Sequence, residues 1–340
     1  MSARDGMDVL VVGAGRMGTA LGTLLARLGR RVTLYARRED LARVIDEEHR
    51  NPTYLRDVRL PDRLRATTDL AAAVVQTPLV VMAVPSQSFR DAARAVGDHL
   101  EGDQMVVHTT KGFEVESFNR MSQVLREETC TLKIGVLSGP TIPEELVAGH
   151  PTGAVVASAY TEVVEAVQDL FKGGFFRVYG GRDVVGTEVA GAFKNVVSVA
   201  AGAVQGLQFG ESTRWLLITR GLSEMTRLGA AMGADVLTFA GLAGIGDLAA
   251  TCVSPHSRSH QLGRRVAAGE SVDTVLADLH SIEALPTSDA ISRHAARMGL
   301  ELPIVRAVHG LLHEGWHVQR ALAHLMSVPV GDELVAPRTR

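Results

Sequence analysis

The sequence predicts an α/β chain, with a doubly wound sheet in the N-terminal half and an all-helical C-terminal half. Three observations predict it. A short apolar run, Val9-Leu10-Val11-Val12, stops at Gly13 and passes into a helical pattern through the spacing Gly13-x-Gly15-x-x-Gly18. Short, fully apolar runs then recur, as expected of parallel strands buried on both faces, and each ends in a loop of small, polar or charged residues. Near Asp183 the texture changes to long stretches of helical periodicity.

Taken in order, the first unit is a Rossmann-like dinucleotide fingerprint. Gly13 lets the chain turn, Gly15 lets a diphosphate approach the main chain, and Gly18 lets helix and strand pack closely. Ala20, Leu21, Leu24, Leu25 and Leu28 follow at helical spacing, and Gly29 closes the segment. The free N–H groups at the start of that helix suit phosphate. Residues 31–35 read as the next strand, about 20 residues after the first glycine, where a ribose-binding acid usually stands. Here the strand runs into Ala36-Arg37-Arg38 instead. A basic residue there suits an adenosine 2′-phosphate, so the expected cofactor is NAD or NADP with NADP slightly favoured. A solvated basic turn before a helix at 40–48 explains the pair equally well.

Further strands are expected at 79–84, followed by Pro85-Ser86 and Phe89; at 105–108, followed by Thr109-Thr110-Lys111-Gly112; and at 135–137, followed by Ser138-Gly139-Pro140-Thr141. Ligands of doubly wound sheets sit at such carboxyl ends. Residues 153–157 and 176–179 read as edge strands. Residues 185–207 read as a long buried helix broken in character by Lys194-Asn195, and 214–232 as a second. Shorter helices are expected at 234–240, 247–253, 257–268, 271–280, 287–298 and 303–313. The expected domains are a dinucleotide-binding domain at 7–182 and a helical substrate domain at 183–330, with a tail at 331–340.

The totals narrow the function classes. The chain has 340 residues and a formal charge of −3, which gives no electrostatic footprint for nucleic acid or an anionic membrane. Its two cysteines, Cys130 and Cys252, make no disulfide framework and fit a reducing compartment. No membrane span is expected, and MSARDGMD has no secretion-signal character. A cytoplasmic protein is expected.

Lys194 sits in an otherwise apolar helix, where a charge is costly unless paired or facing a cleft. It reads either as an ion-paired structural lysine or as a general acid/base with a lowered pKa. Lys111, after a sheet strand, is its natural companion. The loop Gly241-Leu242-Ala243-Gly244-Ile245-Gly246 leads to Asp247, read as a helix N-cap or as an acid orienting lysine or substrate. Ser257-Arg258-Ser259 offers hydroxyls and a guanidinium for a phosphate, or simply a solvated helix start. Cys252, His256 and His260 are spaced by four, as are His309, His313 and His317. Pro255 interrupts the first set, Gly310 and Gly315 loosen the second, and no metal is expected.

With these residues assembled, the chain resembles the bacterial NAD(P)-dependent glycerol-3-phosphate dehydrogenases over about residues 8–330. The resemblance rests on GAGRMGTAL (13–21), TTKGFE (109–114), SGPTIPEEL (138–146), FRVY (176–179), GAFKNV (191–196), LITRGLSEM (217–225), GLAGIGDL (241–248) and HSRS (256–259). It implies a Rossmann domain and a helical domain with the active site between them, and a homodimer. It implies reversible reduction of dihydroxyacetone phosphate to sn-glycerol 3-phosphate, which feeds glycerophospholipid synthesis. By that resemblance Lys194 is the general acid/base, with Lys111 and Asp247 beside it in catalysis. Lys111, Gly139, Thr141, Lys194, Asp247, Ser257, Arg258 and Ser259 would meet substrate. Gly13, Gly15, Arg16, Met17, Gly18, Arg37, Phe89, Lys111, Pro143, Arg258 and Glu283 would line the cofactor. Met17, Pro143, Ser212, Trp215, Ser259, Ala284 and Pro286 depart from the family's pattern. They leave open a related phosphorylated hydroxyketone as substrate, and Met17, Ser212 and Ser259 leave open a non-catalytic NAD(P)-binding regulator; a β-hydroxyacid or ketopantoate-type reductase would share the Rossmann-plus-helical plan and a helix lysine.

Overall fold

A computed structural model describes residues 7–279, 281–331 and 333. Residues 1–6, on which most of the signal-sequence reading falls, lie outside the described residues, as does the expected tail apart from Gly331 and Glu333. Two compact units form. One holds the described residues up to Thr110 together with Met121–Val184; the other holds Lys111–Arg120 and the described residues from Val185 onward.

The first unit is built on β1 (Val9–Val12), β2 (Val32–Tyr35), β3 (Leu64–Thr67), β4 (Leu79–Met82), β5 (Met105–His108), β6 (Ile134–Ser138), β7 (Thr152–Ser158) and β8 (Phe176–Gly181). Among the described residues they make one sheet, ordered β3-β2-β1-β4-β5-β6-β7-β8. The first six are parallel, β7 is antiparallel to β6, and β8 is parallel to β7. Alternation along β1 explains why its run is apolar throughout. Val9 and Val11 enter the core on one face with Leu21 and Leu25, while Leu10 and Val12 enter the core on the other with Val74 and Phe89. The order reverses where β1 lies beside β4, and ligands of such sheets bind outside the carboxyl ends at that point.

The strand β3 is not expected from the sequence. It is a sheet edge on which only Leu64 is fully buried, so it carries no apolar run. The expected 79–84 and 176–179 runs are observed as Leu79–Met82 and Phe176–Gly181.

The second unit, apart from Lys111–Arg120, is helical, and Val184–Gly206 is its central helix. By length and composition this helix could cross a membrane, but 89% of its apolar window is buried inside the protein. Helix Arg258–Ala267 approaches it backbone to backbone. A Cβ on Gly263 would lie 1.8 Å from the Val199 carbonyl oxygen, and one on Gly202 would lie 2.0 Å from that of His260. That contact fixes where Ser257 and Arg258 begin their helix. A last helix, Val318–Ser327, is also unexpected; it buries only Ala321.

Candidate active site

In the first unit the fingerprint glycines are each used differently. Gly13 has φ +113°, and a Cβ there would meet the Ala83 carbonyl oxygen at 2.6 Å. A Cβ on Gly18 would lie 1.8 Å from the Gly13 carbonyl oxygen, so helix Arg16–Arg27 can pack this tightly only on glycine. At Gly15 a Cβ would meet nothing within 4 Å. The open space is therefore beside Gly15, at the start of the helix.

The flanking residues predicted for the cofactor are placed as follows. The Arg16 guanidinium is held by Glu144, with Nε donating to Oε1 at 3.0 Å and a second nitrogen on the same oxygen. Pro143 opens helix Pro143–Ala148, and Met17 is half-buried against the core. Arg38, read together with Arg37 as a basic pair, is engaged through both carboxylate oxygens of Asp40. Arg37 is exposed and makes no ion pair among the described residues. Phe89 is 0% exposed and packs edge-on to His108, so it belongs to the core rather than to an open binding face. The Gly139 carbonyl accepts from the Thr141 hydroxyl at 3.1 Å.

In the second unit the three residues expected to do the chemistry come together. Lys194 Nζ donates to Asp247 Oδ1 at 2.8 Å, and Lys111 Nζ donates to Oδ2 at 2.7 Å. Their side chains are 10% and 12% exposed and that of Asp247 is 2%, so one buried carboxylate serves two ammonium groups. Burial and the neighbouring Lys194 pull the Lys111 pKa down to about 8, against the opposing effect of Asp247.

Asp247 is not the helix N-cap that one reading made it. Gly246 takes that position, and Asp247 opens helix Asp247–Val253. The preceding glycine loop forms a widened turn over Leu242–Gly246, kinked at Gly244, a feature often found at functional sites. It frees the Asp247 carboxylate to face the lysines. Ser257 does cap helix Arg258–Ala267, accepting from the His260 N–H at 3.2 Å, and also lies 3.1 Å from the Ser198 hydroxyl. Arg258 is half-buried at the first turn and Ser259 is buried. Glu283 stands at the start of helix Ala284–Arg297.

Two residues of this network were missed in the sequence. Thr251 accepts from Lys194 Nζ at 2.7 Å, and its hydroxyl lies 3.3 Å from Asp247 Oδ1. Its position four residues after Asp247, on the same helical face, was the available signal. Asn195 donates to the Lys111 carbonyl at 3.0 Å. The segment carrying Lys111 is further fixed by rings and charge. Phe113 stacks on Phe118 at 4.5 Å, Phe118 on His294 at 4.2 Å, and Arg120 pairs with the buried Glu188. Phe118 holds a left-handed φ of +61°, a conformation that a bulky residue keeps only where its surroundings impose it.

Known proteins resemble this chain along nearly its whole length. Residues 8–164 match the family model described as NAD-dependent glycerol-3-phosphate dehydrogenase N-terminus, and 183–323 match its C-terminus counterpart. A glycerol-3-phosphate dehydrogenase [NAD(P)+] of Moorella thermoacetica is 44% identical over 328 residues, 96% of this chain and 98% of that one. One of Corynebacterium diphtheriae is 41% identical over 324 residues, covering 94% and 98%. The crystal structure of a glycerol-3-phosphate dehydrogenase (gpsA) from Coxiella burnetii superposes with a TM-score of 0.91 at 31% identity, covering 95% of this chain and 99% of that one.

Proposed function

The chain belongs to the NAD-dependent glycerol-3-phosphate dehydrogenase family, and we propose that Lys194 and Lys111, joined on the carboxylate of Asp247, carry its proton chemistry. The enzyme is an oxidoreductase acting on a CH–OH group, reducing dihydroxyacetone phosphate to sn-glycerol 3-phosphate reversibly with NADH or NADPH. The observation that carries the site reading is the pair of lysine–carboxylate bonds, at 2.8 and 2.7 Å, from separate segments of chain.

When bound, the nicotinamide supplies the hydride to the carbonyl carbon. Lys194 gives its proton to the carbonyl oxygen, so ketone becomes alcohol, and in the oxidative direction takes it back. Thr251 and Asp247 hold Lys194 in register throughout. Lys111 keeps a second positive charge near the oxygen, where negative charge develops during reduction, and this favours the transition state over the ground state. Arg258 anchors the substrate phosphate as a charge-assisted fork. The test is oxidation of NADH and NADPH with dihydroxyacetone phosphate and a panel of phosphorylated and carboxylated ketones. Phosphate-dependent turnover supports the reading. Turnover of 2-ketoacids alone points to a hydroxyacid reductase, and binding of NADPH without any ketone reduced points to a regulator.

Arg37 is the side chain left to select NADP, because Arg38 is committed to Asp40. Arg37→Ala is expected to raise KM for NADPH roughly tenfold, the loss of one hydrogen-bonded charge, and to leave KM for NADH within about twofold. Equal changes for both cofactors would count against the assignment. We place the enzyme in the cytoplasm, supplying glycerol phosphate for phospholipid synthesis, where the unpaired Cys130 and Cys252 stay reduced. We propose a homodimer, for which the adjacent Trp215 and Leu216, 48% and 64% exposed, offer apolar surface. Light scattering decides that point; a monomeric mass would reject it.

A further inference from the structure

We infer that Asn51 is a positioning residue for the dinucleotide, aiming the Gly15 amide at the diphosphate by holding the Ala14 carbonyl from behind. The inference rests on the cofactor reading above. Asn51 follows helix Glu39–Glu48, is 0% exposed, and uses both ends of its side chain. Its Nδ2 donates to the Ala14 carbonyl at 3.1 Å and to Thr19 Oγ1 at 2.9 Å. Its Oδ1 accepts from the backbone N–H of Thr53 at 3.0 Å and of Tyr54 at 2.9 Å.

Ala14 lies inside the fingerprint, between the glycine of the turn and the glycine of the open space. A planar trans peptide carries the Ala14 carbonyl and the Gly15 N–H on opposite edges. A bond that fixes the carbonyl therefore fixes the direction of the N–H. The carbonyl is held on the buried side, so the N–H is turned away from it. A Cβ on Gly15 would meet nothing within 4 Å, so the surroundings leave room for a ligand. Backbone N–H groups preset in this way bind an anion without reorganising. The same asparagine ties the loop Thr53–Tyr54 to the fingerprint, so the group that tethers this loop to Ala14 also orients the phosphate donor.

Asn51→Asp separates this role from simple loop stapling. It keeps the one oxygen that accepts from both the Thr53 and the Tyr54 N–H groups. It loses the donor to Ala14 and sets a carboxylate oxygen against a carbonyl oxygen. Titration of NADPH fluorescence without substrate should show Kd raised roughly tenfold, the size expected for one hydrogen bond to a charged group. At saturating NADPH, KM for dihydroxyacetone phosphate should stay within about twofold of wild type. Unchanged Kd in a folded N51D overturns the inference, as does a Kd change matched by an equal fall in turnover at saturating cofactor. If N51D does not fold, Thr19→Val removes the second acceptor of Nδ2 together with the long Thr19 hydroxyl bond to the Ala14 carbonyl at 3.4 Å, and leaves the Asn51 bond to that carbonyl in place. A smaller rise in Kd, about threefold, then supports the inference and no rise overturns it. The wild-type titration keeps the two readings apart: failure of the wild type to bind NADPH rejects the cofactor reading itself.

Discussion

Lys194→Ala is expected to lower kcat roughly a thousandfold, within the range ascribed to a positioned general acid, while Kd for NADPH stays at the wild-type value. The expectation follows from geometry. Lys194 lies in the middle of the buried helix Val184–Gly206, where a charge persists only because Asp247 and Thr251 receive all that it is seen to donate. The alanine variant leaves Asp247 still neutralised by Lys111, so the unit should fold. Lys194→Arg is the sharper companion, because it keeps the positive charge but does not release a proton at working pH. If charge alone sufficed, the arginine variant would recover most of the rate. Near-normal turnover in either variant would remove Lys194 from the proton-donor role.

Asp247→Asn has the larger effect on stability. It leaves two ammonium groups facing a neutral amide in a site of which little reaches solvent, and breaking a buried pair of this kind costs about 3–5 kcal/mol. The pH dependence has a definite sign. Lys111 titrates at about 8 in the folded chain against an ordinary 10.5, so between those values the unfolded chain binds the extra proton. Its contribution to stability therefore rises with pH across that window and is at its least favourable below about 8. Without Asp247, which raises the Lys111 pKa, that window extends lower, and the variant's melting deficit should narrow as pH is raised towards about 8, the part of the window that only the variant has. In kinetics, ketone reduction requires a protonated lysine, so wild-type kcat/KM should fall as pH rises through about 8, and the Asn variant should fall earlier. A limb that stays put in Asp247→Asn would show that Lys111 is not the group being read.

Much of this was legible in the residues because the physics is local. A strand buried on both faces must be apolar throughout, so β1, β4 and β5 announced themselves, whereas the edge strand β3 buries only Leu64 and did not. The fingerprint glycines were legible because each answers a steric demand that a Cβ would violate or fill. Lys194 was legible as a charge in an apolar helix. Which of its partners would be used was not, since Thr251 and Asn195 are ordinary residues until the helices are placed. The Ser257 and Asp247 readings turned on a one-residue question of helix registry, and caps are the least determined part of any helix. Asn51 lies 37 residues from the carbonyl it holds, beyond any motif spacing.

The stack of Phe113 and Phe118 on His294, together with the Arg120–Glu188 pair, has a consequence for synthesis. A ribosome makes Lys111–Arg120 long before it makes His294, so during elongation two aromatic rings and an unmatched arginine wait for partners not yet translated. The Rossmann-type sheet can close around the gap, because strand β6 and its neighbours lie on the chain already made. The nascent protein thus carries an apolar loop whose partners arrive in stages, from Glu188 to His294, the kind of transient surface that recruits chaperones. A chain cut anywhere before residue 294 would leave Phe118 without its stacking partner.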